Sequence, residues 1–173
     1  MRGAWQLPAA TDTMQLGALL AHACPWSARE PRLLFLSGEL GAGKTTLAAG
    51  LLEALGVAEA VRSPSYTLIE TYPLSVGLAV HVDLYRLQGP EELEPLALRD
   101  YFAAHTLLLV EWPERAAAIL PRPDLAVHLQ ASTAEPGRIC RIEAHSAAGE
   151  AWLALVEQQS ASQTLIELGT VSH

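Results

Sequence analysis

Lys44 is the only lysine in a chain of 173 residues, and it sits in Gly38-Glu39-Leu40-Gly41-Ala42-Gly43-Lys44-Thr45. This is the G-x-x-x-x-G-K-[ST] spacing, in which backbone N–H groups cradle phosphates and the lysine reaches the phosphoryl oxygens. The other cationic side chains are ten arginines, yet this position carries an ammonium. A guanidinium is a broad planar fork, whereas an ammonium is a compact point charge that fits inside a tight cradle. Phosphate binding alone specifies no reaction; magnesium and an oriented nucleophile are also needed. Thr45 offers the hydroxyl that such sites place on Mg²⁺, with Thr46 beside it. Two carboxylates stand at the ends of apolar runs: Asp83 in Ala79-Val80-His81-Val82-Asp83, and Glu111 in Leu107-Leu108-Leu109-Val110-Glu111. One of them suits the second magnesium anchor and the other suits orientation of an attacking water. The residues alone leave open which does which.

Further candidates surround this set. Ser63, Ser65 and Thr67 place hydroxyls about Pro64, after the loop-bearing helix, where nucleotide switches carry a γ-phosphate-sensing loop. An ordinary Ser/Pro turn has the same composition. His81 has no second histidine at ligand spacing and reads as a packed residue or a supporter of a ligand. Trp112 follows Glu111 and either walls the site or fills the core. Arg86 is either a stabiliser of phosphate charge or one half of a surface ion pair.

The elements must hold these residues in place. Leu33 to Ser37 is a buried-strand run, and Thr45 to Leu55 has helical character, so the loop has strand before it and helix after it. The unpaired N–H groups at the start of such a helix add to the phosphate cradle. Thr11-Asp12 offers an N-cap to a first helix that ends before Pro25, and Gly56 a C-cap to the second. Tyr66 to Tyr72 and Val76 to Leu84 read as strands joined by a turn drawn from Pro73, Ser75 and Gly77. Residues Glu91 to Asp100 suggest short helical turns, Leu107 to Glu111 a buried strand, and Glu114 to Leu120 a short helix. Leu125 to Gln130 and Ile139 to Ala144 alternate as strands, and Ala148 to Gln158 closes as a helix. Apolar strands interleaved with helices predict a three-layer α/β, P-loop NTPase-like domain, with a mainly parallel sheet and antiparallel edge strands. Residues 1–159 read as one domain and residues 160–173 as a flexible tail.

Composition narrows the functional classes. With 50% hydrophobic residues and no apolar run of membrane-spanning length, the chain reads as soluble and cytoplasmic. Cys24 and Cys140 form no paired motif and read as two buried thiols. A net charge of −8 argues against direct gripping of nucleic acid through its phosphates.

Three segments together resemble the bacterial TsaE (YjeE) family, the ATPase of tRNA threonylcarbamoyladenosine biosynthesis. They are Gly38 to Thr46, Ser63-Pro64-Ser65-Tyr66-Thr67-Leu68, and His81-Val82-Asp83-Leu84-Tyr85-Arg86-Leu87 with Glu111-Trp112-Pro113 downstream. The resemblance implies ATP hydrolysis with Mg²⁺, in support of threonylcarbamoyl transfer to adenosine 37 of tRNA by a TsaD–TsaB pair. It also implies that tRNA is contacted through those partners. Carried over by motif, Lys44 takes the phosphates, Thr45 and Glu111 hold magnesium, and Asp83 serves hydrolysis. The nucleotide contacts extend over Glu39, Leu40, Gly41, Ala42, Gly43, Thr46, Ser65, Trp112 and, on the base side, Arg138. The chain departs from the family in reading Ser-Pro-Ser-Tyr where Ser-Pro-Thr-Phe or Ser-Pro-Thr-Tyr is common.

Three rival readings remain on sequence grounds. A GTPase needs an Asn-Lys-x-Asp guanine reader, and the sole lysine is already committed. A small-molecule P-loop kinase clamps its phosphoryl group with an arginine-bearing lid, whereas the arginines here are scattered. A non-catalytic assembly module would bind nucleotide only to organise partners.

Overall fold

The apolar runs that carry the phosphate loop and the two carboxylates lie side by side. The computed structural model describes residues 1–64, 66–89, 98–133 and 136–161, with the backbone of Ile166–Glu167. In chain order the elements are β1 (Arg2–Leu7), α1 (Ala10–Ala23), β2 (Arg32–Ser37), α2 (Lys44–Ala54), β3 (Ile69–Leu74) and β4 (Gly77–Asp83). They continue as β5 (Thr106–Glu111), β6 (Leu125–Ala131), β7 (Arg138–Ala144), α3 (Ala147–Ser160) and β8 (Ile166–Glu167). All strands join one sheet in the order β3-β4-β5-β2-β6-β7-β1-β8. The pairs β4–β5, β5–β2 and β2–β6 are parallel. Those flanking them are antiparallel. This is the expected plan, a parallel centre with antiparallel edges.

Period-two alternation assigns the two faces. Leu34, Leu36, Leu107, Leu109, Leu125 and Val127 point toward α1, α2 and α3, where Leu16, Leu20, Leu47, Leu51 and Trp152 meet them. Leu33, Val80, Val82, Leu108 and Val110 point the other way, beneath Leu84, Leu87, Leu98 and Ala116. On that second face the described cover is thin, made of the loop carrying Leu84 and Leu87 and of 3₁₀ turns at Leu98–Tyr101 and Pro113–Ala116. Each leucine taken from water in this way contributes about 1.5–3 kcal/mol. The helices approach closely: a Cβ on Gly50 of α2 would sit 2.2 Å from the Met14 carbonyl oxygen of α1. Trp152 Nε1 donates to the Leu20 carbonyl at 2.9 Å and ties α3 to α1.

Several boundaries differ from the sequence reading for local reasons. β1 was not anticipated; its buried residues Gly3, Trp5 and Leu7 alternate, but only after pairing with β7 do they share a face. The first helix begins at Ala10, because Asp12 serves as its third residue and accepts the Ala9 N–H at 2.7 Å instead of capping from outside. β3 starts at Ile69, later than Tyr66, because Leu68 has φ of +62° and donates its N–H to Pro64 O. Pro73 lies inside β3, pairs opposite Leu78, and is tolerated because β3 is an edge strand. The segment after Glu111 makes a 3₁₀ turn at Pro113–Ala116, where a helix over Glu114 to Leu120 was expected. Residues 90–97, which hold most of the expected turns before Asp100, lie outside the described residues. α3 runs through Ser160, and Ile166–Glu167 pairs with Gln6 and Trp5, so a tail is not free throughout residues 160–173.

Candidate nucleotide site

The phosphate loop is built from β2, the turn after it, and the first residues of α2. Gly38 has φ of +134°, and a Cβ there would lie 2.1 Å from the Leu129 carbonyl, so only glycine fits. Gly43, the residue before α2, has φ of +106° and no side-chain cap. The first-turn N–H groups of α2 therefore lack intrahelical acceptors and are available to an anion. Arg138, reaching over from β7, packs against Gly43; a Cβ at 43 would be 2.8 Å from its Nε.

Lys44 is buried, with its ammonium donating to the carbonyls of Gly38 at 2.7 Å and Glu39 at 2.9 Å. Burial lowers its pKa, and the nearby carboxylates of Glu111, Asp83 and Glu114 oppose that shift. Its Nζ also stands 3.9 Å from the Trp112 ring centroid, a cation–π contact. Trp112 reaches that position through a left-handed backbone, φ +57° and ψ +48°. Such geometry costs a bulky residue about 1–2 kcal/mol. Pro113 disfavours the right-handed helical region for the residue before it, and the Trp112 N–H is tied to Leu36 O at 3.1 Å.

The two strand-end carboxylates are register partners on β4 and β5, but they are held differently. Glu111 is 2% exposed and receives the Thr45 hydroxyl at 3.0 Å on Oε1 and 3.1 Å on Oε2. His81 Nε2 lies 2.9 Å from the same Oε1. Asp83, 4% exposed, accepts the Tyr85 N–H at 2.9 Å on Oδ1 and the Ser63 hydroxyl on Oδ2. One carboxylate is thus fixed by the phosphate-loop helix, and the other by the loop that follows that helix.

A cleft of about 370 Å³ joins these groups. Of the sequence candidates it is lined by Leu40, Gly41, Gly43, Lys44, Thr45, Thr46, Asp83, Glu111, Trp112 and Arg138, together with Arg86 and Ser63. Glu39 and Ala42 do not line it; Glu39 contributes its carbonyl to Lys44, and Ala42 is buried behind the loop with its N–H on Glu39 O. Ser65 lies outside the described residues. Tyr85 is the lining residue that sequence reasoning passed over; its ring packs against Trp112 at a 44° tilt with centroids 5.0 Å apart. Its signal was the two-residue spacing from Asp83, which a loop prediction does not resolve. Arg86, read from sequence as either a stabiliser of phosphate charge or one half of a surface ion pair, lines the cleft and lies over the exposed Tyr66 ring at 4.3 Å.

The profile of the threonylcarbamoyl adenosine biosynthesis protein TsaE matches residues 7–140, which include every cleft residue named above. The chain belongs to the TsaE family. A TsaE of Haemophilus influenzae is 46% identical over 97 residues, 56% of this chain and 61% of that protein. One of Bacillus subtilis is 40% identical over 95 residues, 55% of this chain and 59% of the other. One of Streptomyces coelicolor is 40% identical over 124 residues, covering 69% and 82%. The aligned region thus spans about three fifths of the length of the first two TsaE relatives. The crystal structure of YdiB from Bacillus subtilis superposes with a TM-score of 0.76 at 26% identity, covering 92% of this chain and 97% of that one. That likeness supports the P-loop NTPase-like fold for this TsaE chain. Among its described residues no helix is long and apolar enough to cross a membrane.

Proposed function

We propose that this chain binds ATP with Mg²⁺ in the cleft and hydrolyses it, in support of threonylcarbamoyl transfer to adenosine 37 of tRNA by a TsaD–TsaB pair. The observation that carries the reading is the Thr45–Glu111 bond at the lip of the phosphate loop, with Asp83 opposite Glu111 on the neighbouring strand. The donor chemistry fits the cation. Among the described residues no three His, Cys, Asp or Glu side chains converge as a metal cage. Magnesium requires none, since it takes one or two protein oxygens and leaves the rest to phosphate and water. Thr45 Oγ1 and Glu111 would hold it, and its charge offsets that of the phosphates.

The chain's own groups divide the remaining work. Lys44 and the unpaired N–H groups of the first α2 turn bind the β- and γ-phosphates. Trp112 covers the ammonium and keeps bulk water from that side. Asp83 keeps lone pairs beyond the bonds from Tyr85 and Ser63, and with them it orients the attacking water. Ser63 couples that carboxylate to the loop after α2, so phosphate occupancy and loop position are linked. Arg138 adds a cation on the side of Gly43. A net charge of −8 favours reaching tRNA through protein partners in the cytoplasm.

The test is phosphate release and t6A formation by the full chain, with and without TsaD–TsaB. Glu111→Gln and Asp83→Asn should each lower partner-stimulated phosphate release by about 100-fold or more. Release from both variants equal to wild type would show that hydrolysis is not the role of this cleft. ATP-dependent phosphorylation of a nucleoside or sugar would instead favour a kinase.

A further inference from the structure

His81 is wholly buried in β4, yet only one of its ring nitrogens has a partner. Nε2 lies 2.9 Å from Glu111 Oε1, whereas Nδ1 is enclosed without a hydrogen bond among the described residues. The contact follows from sheet register: His81 is opposite Leu109 on β5, which makes Glu111, two residues on, its diagonal neighbour on the same face. A carboxylate only accepts, so Nε2 carries a hydrogen and donates it to Glu111, while Nδ1 is left without a partner. A buried polar atom without a hydrogen-bond partner costs stability. A leucine among the neighbouring apolar residues would carry no such cost.

What the imidazole supplies is a distinction between two oxygens. The Thr45 hydroxyl has one hydrogen, and it sits 3.0 Å from Oε1 and 3.1 Å from Oε2, so it does not choose between them. His81 bonds Oε1 alone. We propose that His81 is a positioning residue whose Nε2–H bond fixes the rotation of the Glu111 carboxylate, leaves Oε2 the less committed oxygen, and thereby sets how tightly the cleft takes a divalent cation with nucleotide. The inference rests on Glu111 being a cation ligand. Bonds from outer residues of this kind orient a ligand and are worth about 10–100-fold in metal affinity.

The experiment measures Mn²⁺ binding to the full chain with ADP present, from the electron paramagnetic resonance signal of free Mn²⁺. Nucleotide affinity in EDTA is measured alongside. His81→Leu should weaken Mn²⁺ binding about tenfold or more, while nucleotide affinity in EDTA moves by less than about twofold. His81→Gln, whose amide nitrogen reaches the level of Nε2, should stay within about threefold of wild type. His81→Asn, whose amide stops at the level of Nδ1, should be as weak as His81→Leu. If His81→Leu does not fold, the contrast between Gln and Asn decides. Equal Mn²⁺ affinity for Gln and Asn, or wild-type affinity for Leu, overturns the proposal while leaving Glu111 as ligand intact. An unweakened Glu111→Gln variant overturns the ligand reading itself.

Discussion

Removing the Thr45 hydroxyl should destabilise the fold before any ligand is added. Thr45→Val keeps the shape of the side chain and deletes only the donor that sits 3.0 and 3.1 Å from the Glu111 oxygens. Glu111 is 2% exposed, and without that hydroxyl its remaining side-chain bond is the one from His81. A hydrogen bond to a charged group is worth about 1.5–3 kcal/mol. For a domain of this size 1 kcal/mol shifts Tm by about 2–4 °C, so the variant should melt roughly 3–12 °C below wild type. The assay is a thermal melt followed by circular dichroism in EDTA, where no cation contributes. Thr45→Ser keeps the donor and should recover all but about 1 kcal/mol, the share of the lost methyl group. In the presence of Mg²⁺ and the transferase pair, ATP hydrolysis should fall at least about tenfold for Val and far less for Ser. A Thr45→Val protein that melts within about 1 °C of wild type in EDTA would refute the reasoning, because the hydroxyl would then carry no measurable part of the Glu111 environment.

Gly50→Ala should destabilise by about 1–3 kcal/mol, because the added Cβ meets backbone and not a flexible side chain; that backbone is Met14 O at 2.2 Å and Met14 Cα at 2.6 Å. A melt unchanged from wild type would mean that α1 and α2 can separate without loss. Lys44→Arg keeps the charge but replaces a point donor held between two carbonyls and the Trp112 ring with a wider fork, so ATP affinity should fall about tenfold or more by calorimetry. Stability should decline in alkali. Burial pushes the Cys24 thiol from 9.0 up to about 12 and raises Cys140 as well, so the folded state holds two protons that the unfolded state releases. That stability is complete below about pH 9 and is lost as pH rises toward the folded value, at up to about 1.4 kcal/mol per pH unit per thiol. Urea denaturation at pH 8–10.5 should therefore give a flatter pH dependence for a Cys24→Ala/Cys140→Ala variant, and equal slopes would overturn the assignment.

The part of the site legible in sequence was the part determined locally. Strand, glycine loop and helix follow one another without a break, so Gly38 to Thr46 could be placed from spacing alone. Asp83 and Glu111 were visible as carboxylates ending apolar runs, even though both stay buried at the strand ends. Only the family resemblance joined Thr45 to Glu111; residue types and spacing alone could not show which of the two carboxylates meets Thr45. That depends on β5 pairing directly with β2 and on the register that sets Asp83 opposite Glu111, both contacts between residues far apart in the chain. The family resemblance named Arg138, but its packing on Gly43, like the strand β1, takes its place only when β7 joins the sheet.

His81 shows the limit most plainly. A lone histidine among valines is indistinguishable from a packed one until register supplies a diagonal neighbour, and here the neighbour is the one carboxylate that already holds the Thr45 hydroxyl. The two carboxylates then differ not in chemistry but in what grips them. Glu111 is held by α2 and by the interior of the sheet, elements that cannot move without disturbing the core. Asp83 is held through Ser63 by a loop, and through Tyr85 by its own strand end. A rigid carboxylate suits a cation position, and one coupled to a loop suits a group that must respond to the phosphate. The division of roles proposed for them therefore rests on rigidity, which the sequence encodes only through the fold.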